Sequence, residues 1–437
     1  MAGVLVLASC SQPRAPLPGE GPPATTPART DAEIRELDIA FYQERSERDP
    51  TGALDLAHLG ALYLERGRES GDPRDAVIAE DAARRSIRNR SSHNAAASSV
   101  LQSALLAQHR FHEALRLATA ARDQDPDNQS RRAAVAEIQM ELGQYDSARV
   151  FFNGLRPREG DLAVVPRLAR WAEIEGDTAK ARRLLRGALK AAIRQPTLSR
   201  EQVAWYWLRV GDVELRTGNP VAADSAYRAG LTMHPHDYRL LSALAHSALL
   251  QGRWPEATAY GEQAIAVTLD PAALGILSDA AAAIGDTAKA NEYAHVLDVV
   301  VLKQPGAYHR AWSLFLLDRK RHTGTVARKI REELRTRRDV YAYDLLAWSL
   351  HQQGRNAEAK QAMTMALREG TNDAQLFFHA GMIERAVGDV AASRAFLARA
   401  LAVNPWFHPT QPAIARTTLA ELGRVANTAG VSRPAVR

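Results

Sequence analysis

The chain has 437 residues, 46% apolar and 24% charged, the balance of a folded protein rather than a disordered or fibrous one. Its net charge of +6 is modest for this length, so charge alone does not make the whole chain a binder of polyanions. No internal apolar run approaches the ~18 residues of a membrane-spanning helix, and the single cysteine, Cys10, excludes an intramolecular disulfide.

The N-terminus opens on an apolar run, Val4-Leu5-Val6-Leu7, that leads into Ala8, Ser9 and Cys10. Leu7-Ala8-Ser9-Cys10 resembles the bacterial lipobox. The resemblance implies that residues 1–9 are a signal peptide removed just before Cys10, whose thiol is then diacylated. No Lys or Arg precedes the run, so a start upstream of Met1 and an unstructured N-terminus with a chance Cys both stay open. From Gln12 to Thr30 there are six Pro and almost no bulky apolar residues. Such a stretch cannot pack, and residues 10–30 read as a lipidated Cys with a flexible tether. By the same resemblance Ser11, where an Asp would retain the protein elsewhere, implies the outer membrane facing the periplasm.

Residues 31–52 are expected to hold an N-terminal capping helix, with Ile34, Leu37 and Phe41 at i, i+3, i+7 facing inward. A pattern then returns about every 34 residues. Near Ala53 it reads Leu56, Leu59, Gly60, Tyr63 and Gly67, with an insertion around Gly71 to Arg74. From Ala95 it gives Leu101, Leu105, Ala114, Ala118, Ala121 and Pro126, and from Gln129 it gives Val135, Ala136, Gly143, Ala148 and Phe152. The copy at Leu162 has Leu168, Ala169, Gly176, Ala181, Leu185 and Ala188; a connection near Gln195 and Pro196 follows. The clearest copy starts at Ala204: Trp207, Val210, Gly211, Gly218, Ala223, Tyr227, Gly230 and Pro235. Further copies start at Tyr238, Pro271, Tyr308 (weaker), Val340 and Ala374.

A large residue, small residues at fixed offsets and a closing Pro describe two antiparallel helices packed closely at Gly and Ala. The pattern resembles the tetratricopeptide repeat. The resemblance implies an all-α, right-handed superhelical solenoid of about ten helical hairpins over residues 53–407. One hairpin cannot bury its apolar face alone, so capping helices are needed at the ends. The second is expected at 408–424, with Ile414, Leu419 and Leu422 inward, and 425–437 is expected to be a disordered tail.

In this family, first-helix positions 2, 5, 9 and 12 face a concave groove. The copy at Ala95 puts Ala96, Ser99 and Ser103 there. Later copies put larger groups there: Trp205, Leu208 and Asp212; Arg239 and His246; His309, Trp312 and Arg319; Tyr341, Asp344, Trp348 and His351; Phe378, Met382 and Arg385. Aromatic and Arg side chains dominate binding hot spots. The expectation is a groove over roughly 204–390 that holds a peptide or helix of a protein partner; the competing expectation is that these rings fill space between first helices.

Residues 319–338 carry nine Lys or Arg and two Glu, which leaves the rest of the chain near −1. This stretch reads either as a docking patch for an acidic partner, anionic lipid or nucleic acid, or as a solvated helix face. No phosphate-binding loop, dinucleotide fingerprint, H-E-x-x-H or G-x-S-x-G is present. His109 and His112, and His234 and His236, read as exposed turn residues rather than metal ligands. The expected function is therefore a non-catalytic scaffold or assembly factor of a bacterial envelope, anchored by its lipid, with no cofactor or metal and no nucleic-acid partner. The alternatives are a cytoplasmic adaptor that binds an acidic protein or nucleic acid through 319–338, a subunit of an enzyme, and a glycan or small-ligand binder.

Overall fold

The computed structural model describes residues 29–302 and 310–431; Cys10, the tether and His309 lie outside them. The described residues form α-helices and no strand. Helix α1 (Asp31–Arg48) precedes ten hairpins. These are α2 and α3 (Ala53–Ser70, Arg74–Asn89), α4 and α5 (Ala95–Ala107, Phe111–Gln124), α6 and α7 (Gln129–Glu141, Tyr145–Asn153), and α8 and α9 (Val165–Ile174, Thr178–Ile193). Next come α10 and α11 (Arg200–Arg216, Pro220–Met233), α12 and α13 (Tyr238–Leu250, Trp254–Val267), and α14 and α15 (Pro271–Ala283, Thr287–Leu302). The last are α16 and α17 (Arg310–Asp318, Thr323–Glu333), α18 and α19 (Val340–Gln352, Asn356–Ala366), and α20 and α21 (Ala374–Ala386, Val390–Val403), closed by α22 (Gln411–Val431).

Side-chain caps begin most of the first helices. Asn94, Asn128, Asp237, Asp270, Asp339 and Asp373 cap first helices with side-chain oxygens on free backbone N–H groups. Ser199 and Gln202 form a capping box that starts α10 four residues before the repeat frame does, absorbing part of the connection after α9. Within hairpins, small residues allow close approach. A Cβ on Gly211 would lie 2.2 Å from the Tyr227 ring, which is buried and donates its hydroxyl to Asp212 at 3.1 Å. First helices pack on the first helices of the next hairpin, as α10 on α12 and α12 on α14.

The superhelix also closes on itself. The α2–α3 turn at Gly71 meets Thr268 before α14, and Gly143 between α6 and α7 meets Arg338 and Asp339 before α18. Gly176 meets Gly370, and Gly218 meets Val403 and Asn404. Bonds across this seam join residues 189 to 197 apart: Val340 N to Tyr145 Oη at 2.9 Å, Thr371 Oγ1 to Ile174 O at 2.7 Å, and Asn404 Nδ2 to Leu215 O at 2.9 Å. Arg338 N donates to Leu142 O at 3.1 Å. The seam thus supplies donors to carbonyls near first-helix C-termini, which lack partners within their own helices.

The end helices need correction. Ile34, Leu37 and Phe41 are 46%, 49% and 51% exposed; Arg35, Ile39 and Ser46 are buried instead. An Arg35–Glu69 ion pair at 2.6 Å and a Tyr42–His58 stack turn the neighbouring strip of α1 onto α2. In α22, Leu422 is buried and Leu419 partly so, but Ile414 is exposed because Ala415 and Thr418 make the contact. This helix continues to Val431, past Arg424.

Candidate interaction surface

The sequence-selected residues divide by burial. Trp312, Asp344, Trp348 and Phe378 are core residues, so these four are corrected from groove surface to packing. Asp344, Trp348 and Phe378 lie where the first helices α18 and α20 press together, and bulk there fills the gap, whereas Trp312 packs toward the second helices α15 and α17, against Asp298 and Lys329. Trp312 Nε1 donates to Asp298 at 3.0 Å and Trp348 Nε1 to Asp318 at 3.1 Å. Trp348 stacks on His379 at 4.2 Å, and His379 Nδ1 lies 2.7 Å from Asp344. Polar tips of buried rings need such partners.

The others keep part of their surface. Trp205 sits edge-on to Tyr206 at 4.9 Å and is half-buried. Asp212 pairs with Arg209 at 2.9 Å, and Arg239 pairs with Glu201 and Asp237 at 2.8 and 2.6 Å. Tyr341 lies between Arg170 and Arg310, whose guanidinium carbons are 5.7 and 4.8 Å from its ring centre. Arg319 covers the Phe315 ring and pairs with Asp279; Arg385 is exposed and reaches Glu421 of α22. Burial pushes the His246 imidazole down to about 4, so it is neutral near pH 7.

Sequence reading missed a charged centre beside these residues. Glu173 receives Arg170 and Arg209, each at 3.2 Å, and Arg216. Burial alone would raise this carboxyl, but the three guanidinium groups outweigh it and hold it below its usual range. Arg170 and Glu173 occupy positions 9 and 12 of the copy at Leu162, so the same frame could have found them.

The second omission is the chain's own segment 404–411. Asn404 reaches α10, Phe407 packs on Phe378 at 5.7 Å, and His408 Nε2 lies 3.2 Å from Asp318. Gln411 Nε2 donates to the same carboxylate at 3.0 Å. Burial works against ionised Asp318, but the His408 contact outweighs it and lowers its pKa. Part of the face expected to hold a partner is therefore covered from within. A third correction concerns His234, which is half-buried and lies 3.8 Å from Glu69 across the seam rather than exposed.

Stacked helical hairpins with first helices on one face define a repeat solenoid of the protein-binding class. Residues 105–168 and 208–273 each match a family model described as tetratricopeptide repeat, and the same hairpins continue between and beyond them: this is a tetratricopeptide-repeat protein. Among solved structures the chain is similar to PilW, described as a widely conserved type IV pilus biogenesis factor, at 18% identity and a TM-score of 0.39, covering 50% of this chain and 96% of that one. It is also similar to the APC/C hetero-tetramer Cut9–Hcn1, at 12% identity and a TM-score of 0.35, covering 90% and 94%. No curated protein matches the chain.

Proposed function

We propose that this chain is a non-catalytic scaffold, lipid-tethered at a bacterial outer membrane and facing the periplasm, that holds segments of partner proteins on its first-helix face. One observation carries the binding reading. Trp205, Arg239, Arg319 and Tyr341 keep part of their surface accessible at positions where hairpin stacking requires no large residue. Such groups offer wide contact area with a polar handle. The buried Trp312, Trp348 and Phe378 support this face from behind. The tether reading is supported by Leu7-Ala8-Ser9-Cys10 and the Pro-rich stretch after it. No described helix is long and apolar enough to cross a membrane, so attachment in this reading belongs to the lipid.

Two measurements test it. A photo-crosslinking residue placed at Trp205 or Arg239 is expected to capture a discrete partner in cells, while one at Ile193 on the outer helix α9 does not. Equal capture at both positions overturns the inner-face assignment. Metabolic labelling with a clickable fatty acid is expected to mark the parent and not Cys10→Ala. An unlabelled, soluble chain overturns the tether and leaves the cytoplasmic adaptor reading.

A further inference from the structure

We infer that the seam between superhelical turns carries a second binding site, a cleft for a short acidic segment of a partner protein. The cleft is about 340 Å³. One wall comes from α5 to α7, with His112 and Tyr145; the other comes from α17 to α19, with Arg335, Arg338, Tyr343 and Arg368. The cleft exists only once the chain has gone around the superhelix, because its two walls meet through seam contacts such as Val340 N to Tyr145 Oη.

Charge complementarity selects the occupant. Every ionisable side chain with a formal charge in the lining is a cation, and no Asp or Glu lines it. Arg368 is engaged by Glu369 at 2.8 Å. Arg335 has no carboxylate partner among the described residues, and the Arg338 side chain donates only to the Leu334 carbonyl at 3.1 Å. Both are exposed, as is His112. Guanidinium forks with free N–H groups bind carboxylates as paired, charge-assisted hydrogen bonds. Tyr343 and Met365 add apolar surface for the stem of such a side chain.

The size and rim favour a protein segment over nucleic acid. The cleft holds one or two carboxylate side chains, not a run of phosphates. Asp146 and Glu369 flank Arg368, and Glu141 and Glu333 flank Arg337, so an extended polyanion meets like charge on leaving the cleft. The remaining bases of the 319–338 stretch divide away from this site: Arg328 and Arg331 lie exposed on α17 and are not part of the lining. This inference rests on the scaffold reading only in taking the partner to be a protein, and it does not use the first-helix face.

The test uses the full chain and a fluorescein-labelled Gly-Ser-Glu-Glu-Ser-Gly peptide, whose two carboxylates match the size of the cleft, in an anisotropy titration. Saturable binding is expected, weakened about tenfold or more by the pair Arg335→Ala and Arg338→Ala. The pair Arg328→Ala and Arg331→Ala is expected to change it less than about twofold. His112→Glu is the second probe, since it adds a carboxylate to the opposite wall. It sits in the first turn of α5, where a negative charge suits the helix terminus and folding is kept. Loss of binding with an unchanged circular dichroism spectrum supports the cleft. Because the site spans both turns, the peptide is also expected to raise the melting temperature of the parent and not of His112→Glu. No saturable binding, equal losses in both arginine pairs, or equal competition by an eight-nucleotide oligo-dT overturns the assignment. None of these outcomes bears on crosslinking at Trp205, so the two proposals fail separately.

Discussion

At the residue scale, turn glycines that look alike in sequence do different jobs. Gly143 and Gly354 share position 15 of the repeat and have φ of 72° and 75°. At Gly354 a Cβ would meet open space, whereas at Gly143 it would lie 2.2 Å from the Arg338 carbonyl across the seam. Gly354→Ala therefore meets only the left-handed backbone penalty, about 1 kcal/mol. Gly143→Ala must also move the α17–α18 turn and its seam hydrogen bonds, for a loss of about 3 kcal/mol or more. Urea or thermal midpoints of the two variants check this; equal shifts would sink the seam contact. Position 15 was legible because a hairpin turn is a local event. Which copies of it face another turn was not, since that partner lies almost two hundred residues away.

At the element scale, helix starts were readable and helix faces less so. The frame placed α4, α6, α12, α14, α18 and α20 at their observed first residues, because caps and period act within one hairpin. The strip that α1 buries went the other way. Apolar spacing favoured Ile34, Leu37 and Phe41, but the Arg35–Glu69 pair and Ile39 against Leu59 and Tyr63 decide the docking. Ile39→Ala is expected to cost about 2–5 kcal/mol, and Phe41→Ala less than about 0.5 kcal/mol. Unfolding midpoints of the two variants give the order; a larger loss for Phe41→Ala would restore the original face. The same limit applies to Trp312, Trp348 and Phe378. Register put them on the first helices, but contact with the next helix made them core.

At the scale of the whole molecule, seam strength depends on pH. The Glu69 carboxylate, 3.8 Å away, raises the His234 pKa above its ordinary 6.5. That stabilisation is complete below about pH 6.5 and is lost as pH rises through the folded value. Glu69 is pushed up by burial, but His234 and Arg35 outweigh this and take it down to about 2, so its contribution is full above about 4.5 and is lost as pH falls toward 2. The pair is therefore strongest between about pH 4.5 and 6.5. His234→Gln is expected to lower the melting temperature clearly at pH 5.5 and little at pH 9; an equal drop at both would remove the charge argument.

From its sequence alone this protein's repeat unit, the starts of six of its first helices and its all-α class were determined, because each depends on contacts within about 34 residues. The protein-binding role followed from that class. The tertiary structure decided what depends on the sum of many small rotations between hairpins: the closure of one superhelical turn on the next, the burial of Asp344, Trp348 and Phe378, the own-chain cover at 404–411, and the basic cleft between His112 and Arg335. A slight change in rotation per hairpin, repeated five or six times, moves the seam by a whole helix. No local pattern of residues records that sum.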